Sequence, residues 1–301
     1  MSVLAVTGAT GFVGKRFVAL AVERGHHVRA LTRRPQPEQA GVTWVAGSLG
    51  DPMEQLELMR GADAVVHIAG VVNAPSARAF EMGNVIGTMS MLDSAIGAGV
   101  RRFVHVSSLA AREPELSLYG GSKASAEQAV MRSDLNWDMV RPPGVYGPGD
   151  LDQLELFKMA RLGLAFLPPP GRLSLIHADD LAALLLALAT APATGAVYEA
   201  DDGQPGGYSY AEFARAIGMA VGRRVLPMSL PPALLRLGAA IDRRVRGDKA
   251  RLTRDRVNYF CHPDWTISPD KRPPGTLWRP QIATADGLRQ TAQWYRANGL
   301  L

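Results

Sequence analysis

Two residues at the start of a predicted helix have the types and the spacing needed for acid–base chemistry. Tyr119 and Lys123 are four residues apart, so they share one face of that helix. An ammonium group beside a phenol favours the phenolate and lowers the tyrosine pKa from about 10. Such a tyrosine can transfer a proton to or from a substrate oxygen while a hydride moves to or from a nicotinamide. Ser107 and Ser108 directly follow the predicted strand Arg102–Val106, and a serine hydroxyl there can hydrogen-bond the same oxygen.

A glycine-rich loop connects the first predicted strand, Val3–Thr7, to the first predicted helix. It has three glycines at intervals of three, which permit a tight turn and a close approach of the backbone to a pyrophosphate. The N-terminus of the helix adds amide donors and the positive end of its dipole. The loop in this context predicts a dinucleotide site, whose candidate residues here are Thr7, Gly8, Thr10, Gly11, Phe12, Val13 and Gly14.

The turn after the second predicted strand indicates which dinucleotide is bound. NAD-binding proteins usually carry an acidic residue there, which accepts hydrogen bonds from the ribose 2′-hydroxyl. This chain instead has Thr32, Arg33 and Arg34, with no acidic residue before Glu38. Because guanidinium groups bind phosphate with two parallel hydrogen bonds, we predict NADP(H) as the cofactor. Arg33 is the predicted first contact with the 2′-phosphate and Arg34 the second.

Alternating strand-like and helix-like segments in the first half of the chain position these residues. The predicted strands are Val3–Thr7, His27–Leu31, Val42–Val45, Ala64–Ile68, Arg102–Val106 and Asp138–Arg141. The predicted helices are Phe12–Arg24, Pro52–Met59, Ala77–Ala98 and Gly121–Arg132. This alternation predicts an α/β fold with a doubly wound parallel sheet of the Rossmann type. The carboxyl ends of parallel strands, and any ligand site, then lie at one edge of the sheet.

The alternation ends near Gly149. Leu173–Ile176 is predicted to be one more sheet strand, and Asp179 and Asp180 are predicted to cap the apolar helix Leu181–Ala189. The later residues predict helical pieces joined by turns, which form a smaller substrate domain over the sheet edge. We therefore predict a Rossmann domain of residues 1–149 and 172–200 and a substrate-binding domain of residues 150–171 and 201–301.

Composition excludes several classes of protein. With 301 residues, 47% of them hydrophobic and 20% charged, the chain is typical of a globular protein with a large core. Cys261 is the single cysteine, so no intramolecular disulfide is expected, and the histidines lack zinc spacing, so no metal site is expected. The net charge is +5, but the chain lacks aromatic–basic interleaving and zinc-finger or basic-zipper spacing, so nucleic-acid binding is not expected.

No leader peptide is recognisable, and the longest apolar run, Leu181–Ala189, is much shorter than the ~20 residues that a bilayer span needs. We therefore expect a cytoplasmic protein without a transmembrane segment. Whether it is a monomer or a homodimer is left open.

Motifs between Thr7 and Asp180 together resemble the extended short-chain dehydrogenases/reductases, in the NAD(P)-dependent epimerase/dehydratase superfamily. The motifs that carry the resemblance are Thr7–Gly14, His67–Gly70, Asn84–Thr88, Val104–Ser108, Tyr119–Lys123, Arg141–Gly149 and His177–Asp180. The resemblance extends to hydroxysteroid dehydrogenase-like members and to reductases of lipid ketones.

The resemblance implies roles for matching residues. Tyr119 would be the catalytic acid/base, and Lys123 would bind the nicotinamide ribose and tune that tyrosine. Ser108 would orient and polarise the substrate carbonyl, with Ser107 beside it. Residues that would contact the dinucleotide elsewhere are Ser48, Leu49, Ala69 and Gly70, with Pro142, Gly144 and Val145 near the nicotinamide. Asn84 is expected to be a packing or water-holding residue.

Two features depart from the family pattern. Relatives commonly carry an aspartate after the third strand that contacts adenine, whereas this chain has Ser48, a neutral and weaker partner. Ser108 is also closer to Tyr119 than in most sugar-nucleotide enzymes, and the inert residues Leu109, Ala110 and Ala111 follow it. Both the short spacing and the missing acid–base helpers argue against a dehydratase.

The substrate is indicated only by apolar residues beside a basic cluster. Apolar side chains are frequent in 151–170 and 226–241, and the basic cluster that follows is Arg243, Arg244, Arg246, Lys249 and Arg251. This combination suits a lipid-like substrate or contact with a membrane surface, while an ordinary amphipathic core helix is the alternative.

Three functions remain as hypotheses. The leading one is an NADPH-dependent ketone reductase, or the reverse alcohol dehydrogenase, acting on a hydrophobic substrate such as a steroid, a ceramide or an oxo-acyl compound. The second is a nucleotide-sugar epimerase that uses NAD. The third is a non-catalytic dinucleotide-binding protein with a regulatory or accessory role.

Overall fold

The computed structural model of the chain describes residues 1–247 and 253–301, so Lys249 and Arg251 of the predicted basic cluster lie outside the described residues. The strands are β1 Val3–Thr7, β2 His27–Thr32, β3 Val42–Ala46, β4 Ala64–His67, β5 Arg102–Val106, β6 Asn136–Val140, β7 Gly144–Tyr146, β8 Leu164–Leu167, β9 Arg172–Leu173, β10 Leu175–His177, β11 Val197–Tyr198, β12 Tyr208–Ser209, β13 Leu226–Ser229 and β14 Asp264–Trp265. The α-helices are α1 Phe12–Glu23, α2 Pro52–Leu58, α3 Ala77–Phe80, α4 Gly87–Gly97, α5 Leu118–Met131, α6 Leu154–Arg161, α7 Ala178–Thr190, α8 Tyr210–Val221, α9 Pro232–Arg246, α10 Arg254–Phe260 and α11 Thr284–Ala297.

A seven-stranded parallel sheet has the order β3-β2-β1-β4-β5-β6-β11, which is that of a doubly wound fold. Helices cover both faces, because α1 packs against α7 while α4 packs against α2 and α5. Successive strand side chains point to opposite faces, so Ala5, Val65 and Phe103 share one buried cluster with Leu58 and Met91 from the helices. The predicted α/β class and doubly wound sheet are confirmed.

Three expected elements differ in the structure. The predicted helix Ala77–Ala98 consists of α3, a π-helical segment Glu81–Ile86, and α4. The predicted strand Leu173–Ile176 does not join the main sheet: β10 pairs with β7, and β11 is the seventh strand. Helix α7 begins at Ala178, so Asp179 and Asp180 lie in its first turn and are not its N-cap. There their negative charges stabilise the helix by interacting with the positive end of its dipole.

The chain divides into two compact units. Unit 1 contains Met1–Pro142, Ala178–Ala200 and Asp270–Arg279, and unit 2 contains Pro143–His177, Asp201–Pro269 and Pro280–Leu301. Residues 143–149 and 172–177, predicted to belong to the Rossmann domain, lie in unit 2. Residues 270–279, predicted to belong to the substrate domain, lie in unit 1. The reason is backbone pairing: the Glu199 amide donates to the Lys271 carbonyl oxygen at 2.9 Å.

Unit 2 contains the short sheets β7 with β10, β8 with β13, and β9 with β12 and β14. Its core contains Tyr146, Phe157, Phe213, Leu288 and Tyr295, contributed by β7, α6, α8 and α11. None of the helices in the described part of the chain has both the length and the apolar character that crossing a bilayer requires.

Candidate active site

The structure brings three predicted catalytic residues together in unit 1. The Ser117 hydroxyl caps α5 by accepting a hydrogen bond from the Gly120 amide at 2.9 Å, and this start puts Tyr119 and Lys123 on successive turns. Ser108 lies two residues after the last residue of β5, and its hydroxyl accepts a hydrogen bond from the Ala110 amide at 3.2 Å, while its side chain also interacts with the Tyr119 phenol. The Lys123 ammonium nitrogen, Nζ, donates to a carbonyl oxygen of β5, that of Val106, at 2.8 Å.

Burial dominates the titration of this cluster. Burial raises the pKa of Tyr119, although its hydrogen bond with Ser108 acts in the opposite direction. Burial likewise lowers the pKa of Lys123 from 10.5 to about 8, opposed by the charge of Glu127. The expected lowering of the Tyr119 pKa by Lys123 is therefore wrong for this structure, because removing the phenol from water outweighs the interactions that favour phenolate.

A buried ion-pair network lies behind the serines and was not predicted. The Ser107 hydroxyl donates to Glu127 Oε1 at 2.5 Å. Arg141 donates to both carboxylate oxygens of Glu127, at 2.8 and 2.6 Å, and also contacts the buried Glu199 at 3.4 Å. Glu127 lies one helical turn after Lys123, so its spacing in the sequence was a usable signal. Arg141 gave no such signal because it pairs across a long stretch of chain.

The glycine loop fits a dinucleotide pyrophosphate. Gly8 has φ +72°, and a Cβ placed on it would lie 2.7 Å from the Ala69 amide nitrogen. A Cβ on Gly14 would overlap the backbone oxygen of Gly8, so the loop and the first turn of α1 require glycine at both positions. Gly11 is the N-cap of α1 and has no side chain to occupy the first-turn amides. Those amides are the donors that a phosphate needs.

The other residues predicted for this loop surround the same turn. Thr10 is exposed, while Phe12 and Val13 are half-buried in the first turn of α1. The buried Thr7 hydroxyl pairs with His67 Nδ1 at 2.7 Å and accepts a hydrogen bond from the Ala69 amide at 3.2 Å. The end of β1 is therefore fixed to the turn after β4, which is where Ala69 and Gly70 were predicted to line the dinucleotide.

The turn after β2 contains two arginines whose side chains are exposed to solvent. The Thr32 hydroxyl donates to the Arg34 carbonyl oxygen at 2.7 Å, which holds the turn. Arg33 and Arg34 are exposed, and neither forms an ion pair with any residue of 1–247 or 253–301. Their charges are thus available to an anion such as a 2′-phosphate.

In the turn after β3, the Ser48 hydroxyl forms hydrogen bonds within the turn. The Ser48 hydroxyl donates to Asp51 Oδ2 at 2.7 Å and accepts a hydrogen bond from the Gly50 amide at 3.1 Å. Its proton is therefore already used within the turn, and a donated bond to adenine would require the Asp51 contact to break. Leu49 packs against the buried cluster between the sheet and α2, α4 and α5.

Gly70 lies beside the lysine amine. A Cβ on Gly70 would be 3.2 Å from Asn84 Oδ1 and 3.4 Å from Lys123 Nζ, so glycine leaves this space open. Asn84, in the π-helical segment, accepts from the Val71 amide at 2.6 Å and donates to Ser122 Oγ at 2.8 Å. It is thus a packing residue that joins the turn after β4 to α5.

The residues predicted near the nicotinamide are divided between the units. The Pro142 carbonyl oxygen, in unit 1, accepts a hydrogen bond from the Leu109 amide at 3.0 Å. Gly144 and Val145 belong to β7 of unit 2, where they are opposite Leu175 and Ile176 of β10. Their proximity to a nicotinamide remains a prediction.

Comparison with known proteins agrees with this geometry. Residues 8–192 match a family described as NAD(P)H-binding. The chain is 36% identical to ceramide reductase of Caulobacter vibrioides, over 99% of this chain and 96% of that protein. It is 30% identical to 2-alkyl-3-oxoalkanoate reductase of Stenotrophomonas maltophilia, over 95% and 97% of the two chains.

Among solved structures, the enzyme WbmG of Bordetella bronchiseptica, in complex with NAD and UDP, shares the fold with a TM-score of 0.76 at 19% identity, over 100% of this chain and 96% of that one. The chain belongs to the NAD(P)H-binding family, within the extended short-chain dehydrogenases/reductases, and it is an oxidoreductase of that type.

Proposed function

We propose that this protein is an NADP(H)-dependent reductase that converts a ketone on a lipid-like substrate, of the ceramide or oxo-acyl class, into a secondary alcohol. The observation that carries the proposal is the placing of Tyr119 and Lys123 on successive turns of α5, with the Lys123 amine bound to the Val106 carbonyl oxygen of β5 at 2.8 Å and Ser108 two residues after that strand. This arrangement lies at the carboxyl end of β5, in the unit whose glycine loop fits a dinucleotide.

In this proposal Tyr119 is the proton donor. Its raised pKa keeps the phenol protonated at neutral pH, which is the state that reduction requires. The substrate ketone accepts hydrogen bonds from the Tyr119 and Ser108 hydroxyls, and the proton moves from Tyr119 Oη to the oxygen as the carbonyl carbon is reduced. A bound NADPH supplies the hydride.

Lys123 would hold the nicotinamide ribose. One of its N–H groups is used by Val106, and a Cβ on Gly70 would lie 3.4 Å from Nζ, so glycine leaves the space beside the amine open. Arg33 and Arg34 would bind the 2′-phosphate, since both are exposed and neither forms an ion pair within the described part of the chain. Their charge supports NADPH over NADH.

The substrate class is supported by the relatives. The proteins named ceramide reductase and 2-alkyl-3-oxoalkanoate reductase each match at least 95% of this chain, so the similarity includes unit 2. Both names describe reduction of molecules that carry alkyl chains. We therefore propose a substrate with a ketone close to long alkyl chains.

Replacement of Tyr119 tests the proposal. Purified wild-type protein should oxidise NADPH in the presence of a short-chain 3-oxoceramide or a 2-alkyl-3-oxoalkanoate. Tyr119→Phe should lower kcat by about 10² to 10⁴-fold, because only the transferable proton is removed. NADPH affinity, measured by fluorescence titration, should stay within about twofold of wild type, since the phenol contributes little to dinucleotide binding.

Tyr198→Phe is the control, because the Tyr198 hydroxyl pairs with Thr194 at 2.9 Å, outside the cluster. It should keep full activity. Equal turnover in Tyr119→Phe and wild type would contradict the proposed chemistry. Interconversion of UDP-sugars with NAD, without NADPH oxidation, would instead identify an epimerase.

A further inference from the structure

Helix α9 exposes a continuous apolar stripe to solvent. Leu234, Leu237, Ile241 and Val245 are 51%, 57%, 55% and 77% exposed. Their spacings of three, four and four residues put all four on one face of the helix. Four large aliphatic side chains exposed along one stripe are a feature that soluble monomers rarely leave uncovered.

The stripe faces away from the side of α9 that packs against the protein. Ala239 is the only buried residue that the helix contributes, and α9 packs against α10 of the same unit. Ala239 lies roughly 150° around the helix from the centre of the stripe at 100° per residue. The stripe is therefore not part of the core, which excludes an ordinary core helix as the explanation of its sequence pattern.

The same region carries most of the excess positive charge. Residues 222–247 include six arginines and one aspartate, a net charge of +5, which equals the net charge of the whole chain. Arg236, Arg243, Arg244 and Arg246 are on α9, and all four are exposed. The single acidic residue, Asp242, pairs with Arg246 at 3.3 Å. The polar face of the helix is therefore basic.

We propose that α9 docks on the surface of an anionic lipid bilayer, with the stripe Leu234, Leu237, Ile241 and Val245 entering the interface, Arg244 at the edge of the stripe binding lipid phosphates, and the other arginines of the helix adding electrostatic attraction to the anionic surface. An apolar face opposite a basic face is the arrangement of helices that lie in a membrane interface. Arginine also suits phosphate better than lysine does, because its planar group forms paired hydrogen bonds.

A bilayer is favoured over a second copy of the chain as the occupant. Two copies packed through α9 would bring two identical basic segments together, and like charges oppose that association. An anionic bilayer neutralises the same charge while it covers the stripe. The attachment would be peripheral, because the described residues include no helix suited to crossing a bilayer.

Vesicle binding tests this proposal without using turnover, so its outcome is independent of the test on Tyr119. Full-length protein is mixed with phosphatidylcholine vesicles, with or without phosphatidylglycerol, and bound protein is measured by flotation. We expect binding to the anionic vesicles that weakens as salt is added. Leu237→Gln/Ile241→Gln should reduce binding by about tenfold or more, and Arg243→Gln/Arg244→Gln by roughly thirtyfold.

Glutamine retains helix propensity, so both variants should keep the wild-type circular dichroism spectrum. Met53→Gln/Val72→Gln is the matched control, because these exposed apolar residues lie in unit 1. It should bind like wild type. The proposal is overturned if wild type does not bind anionic vesicles, if it binds neutral vesicles equally well, or if both α9 variants bind as wild type does. Vesicle-independent dimerisation that Leu237→Gln/Ile241→Gln abolishes would assign the stripe to a second copy instead.

Discussion

At the scale of single residues, burial sets the protonation of the site more than neighbouring charge does. Burial raises the pKa of Tyr119, which favours the phenol, and lowers the pKa of Lys123 to about 8. The charge of Glu127 opposes the lowering of the Lys123 pKa. Glu127 also accepts a hydrogen bond from Ser107 and forms an ion pair with Arg141. We infer that Glu127 is a positioning residue, which acts through Lys123 and Ser107.

Glu127→Gln should move the alkaline limb of the activity profile to lower pH. Glu127 favours the charged lysine, so its neutralisation lowers the pKa of Lys123 further below about 8, and the protonated lysine is lost earlier as pH rises. The measurement is kcat/KM for ketone reduction against pH. A uniform loss of activity at all pH values would indicate a structural role only.

The same change leaves the half-buried Arg141 with fewer partners. It should therefore cost about 3 kcal/mol of unfolding free energy, which denaturant titration measures. Glu115→Gln is the control, since Glu115 is exposed. It should alter neither the pH profile nor the stability.

Arg33→Ser/Arg34→Ser should separate the two dinucleotides. Loss of two charged donors to the 2′-phosphate should weaken NADPH binding by roughly hundredfold and leave NADH binding unchanged. Arg24→Ser/Arg132→Ser removes two exposed arginines elsewhere and should change neither affinity. If the affinities for NADPH and NADH fall by the same factor, the two arginines do not bind the 2′-phosphate. Isothermal titration with each dinucleotide makes the comparison.

At the scale of elements, the loop between β1 and α1 leaves no room for a side chain. Gly14→Ala should disrupt it, because the added methyl group overlaps the Gly8 carbonyl oxygen and the backbone must move. We expect a loss of roughly 1 to 3 kcal/mol in stability and of measurable dinucleotide binding. Thermal unfolding and fluorescence titration measure the two effects.

Gly97→Ala in α4 is the matched control. A Cβ there meets only the Leu56 side chain, at 3.9 Å, which is ordinary contact. This variant should be as stable as wild type or more stable, since alanine favours a helix. If Gly14→Ala binds the dinucleotide as well as wild type does, the close contact between Gly14 and the Gly8 backbone is not needed for cofactor binding.

The sequence predicted the parallel sheet well, because apolar strands alternate with helices and each boundary depends on local residues. It also indicated Tyr119, Lys123 and Ser108 as candidates, because their spacing and their place after β5 are local features. The seventh strand was misplaced, since Val197–Tyr198 is too short to show a pattern and is defined by pairing with β6. The commitment of the Ser48 hydroxyl to Asp51 and the pairing of Arg141 with Glu127 depend on three-dimensional contacts. A pattern of residue types does not specify such contacts.

At the scale of the whole molecule, two buried histidines couple stability to pH. His67 and His105 stack at 5.5 Å in the middle of unit 1. Burial lowers the pKa of His67 to about 3 and that of His105 well below 6.5. Below pH 6.5 the unfolded chain therefore binds protons that the folded chain does not, and stability falls with pH through that window.

His105→Phe should reduce this acid sensitivity. Among the residues that the structure describes, neither ring nitrogen of His105 has a hydrogen-bond partner, so an apolar ring should fit without leaving another group unpaired. The slope of unfolding free energy against pH, measured by urea titration between pH 6 and roughly pH 4, should decrease by about 1.4 kcal/mol per pH unit. His27→Phe serves as the control for removal of a half-buried histidine. An unchanged slope in His105→Phe would show that His105 takes up its proton in the folded state.

The segment Asp270–Arg279 has a consequence for how the protein is made. Unit 1 is assembled from three stretches of chain, and the last of them follows nearly all of unit 2 in order of synthesis. Trp278 Nε1 donates to the Asp180 carbonyl oxygen at 3.0 Å, and the Lys271 carbonyl oxygen accepts a hydrogen bond from the Glu199 amide. This last stretch therefore binds to residues of unit 1 that are synthesised much earlier. A nascent chain halted at Ala200 holds every strand of the main sheet but lacks both contacts. Unit 1 therefore cannot be completed before residue 279 has left the ribosome. For the same reason it cannot be transferred to another protein as one contiguous segment.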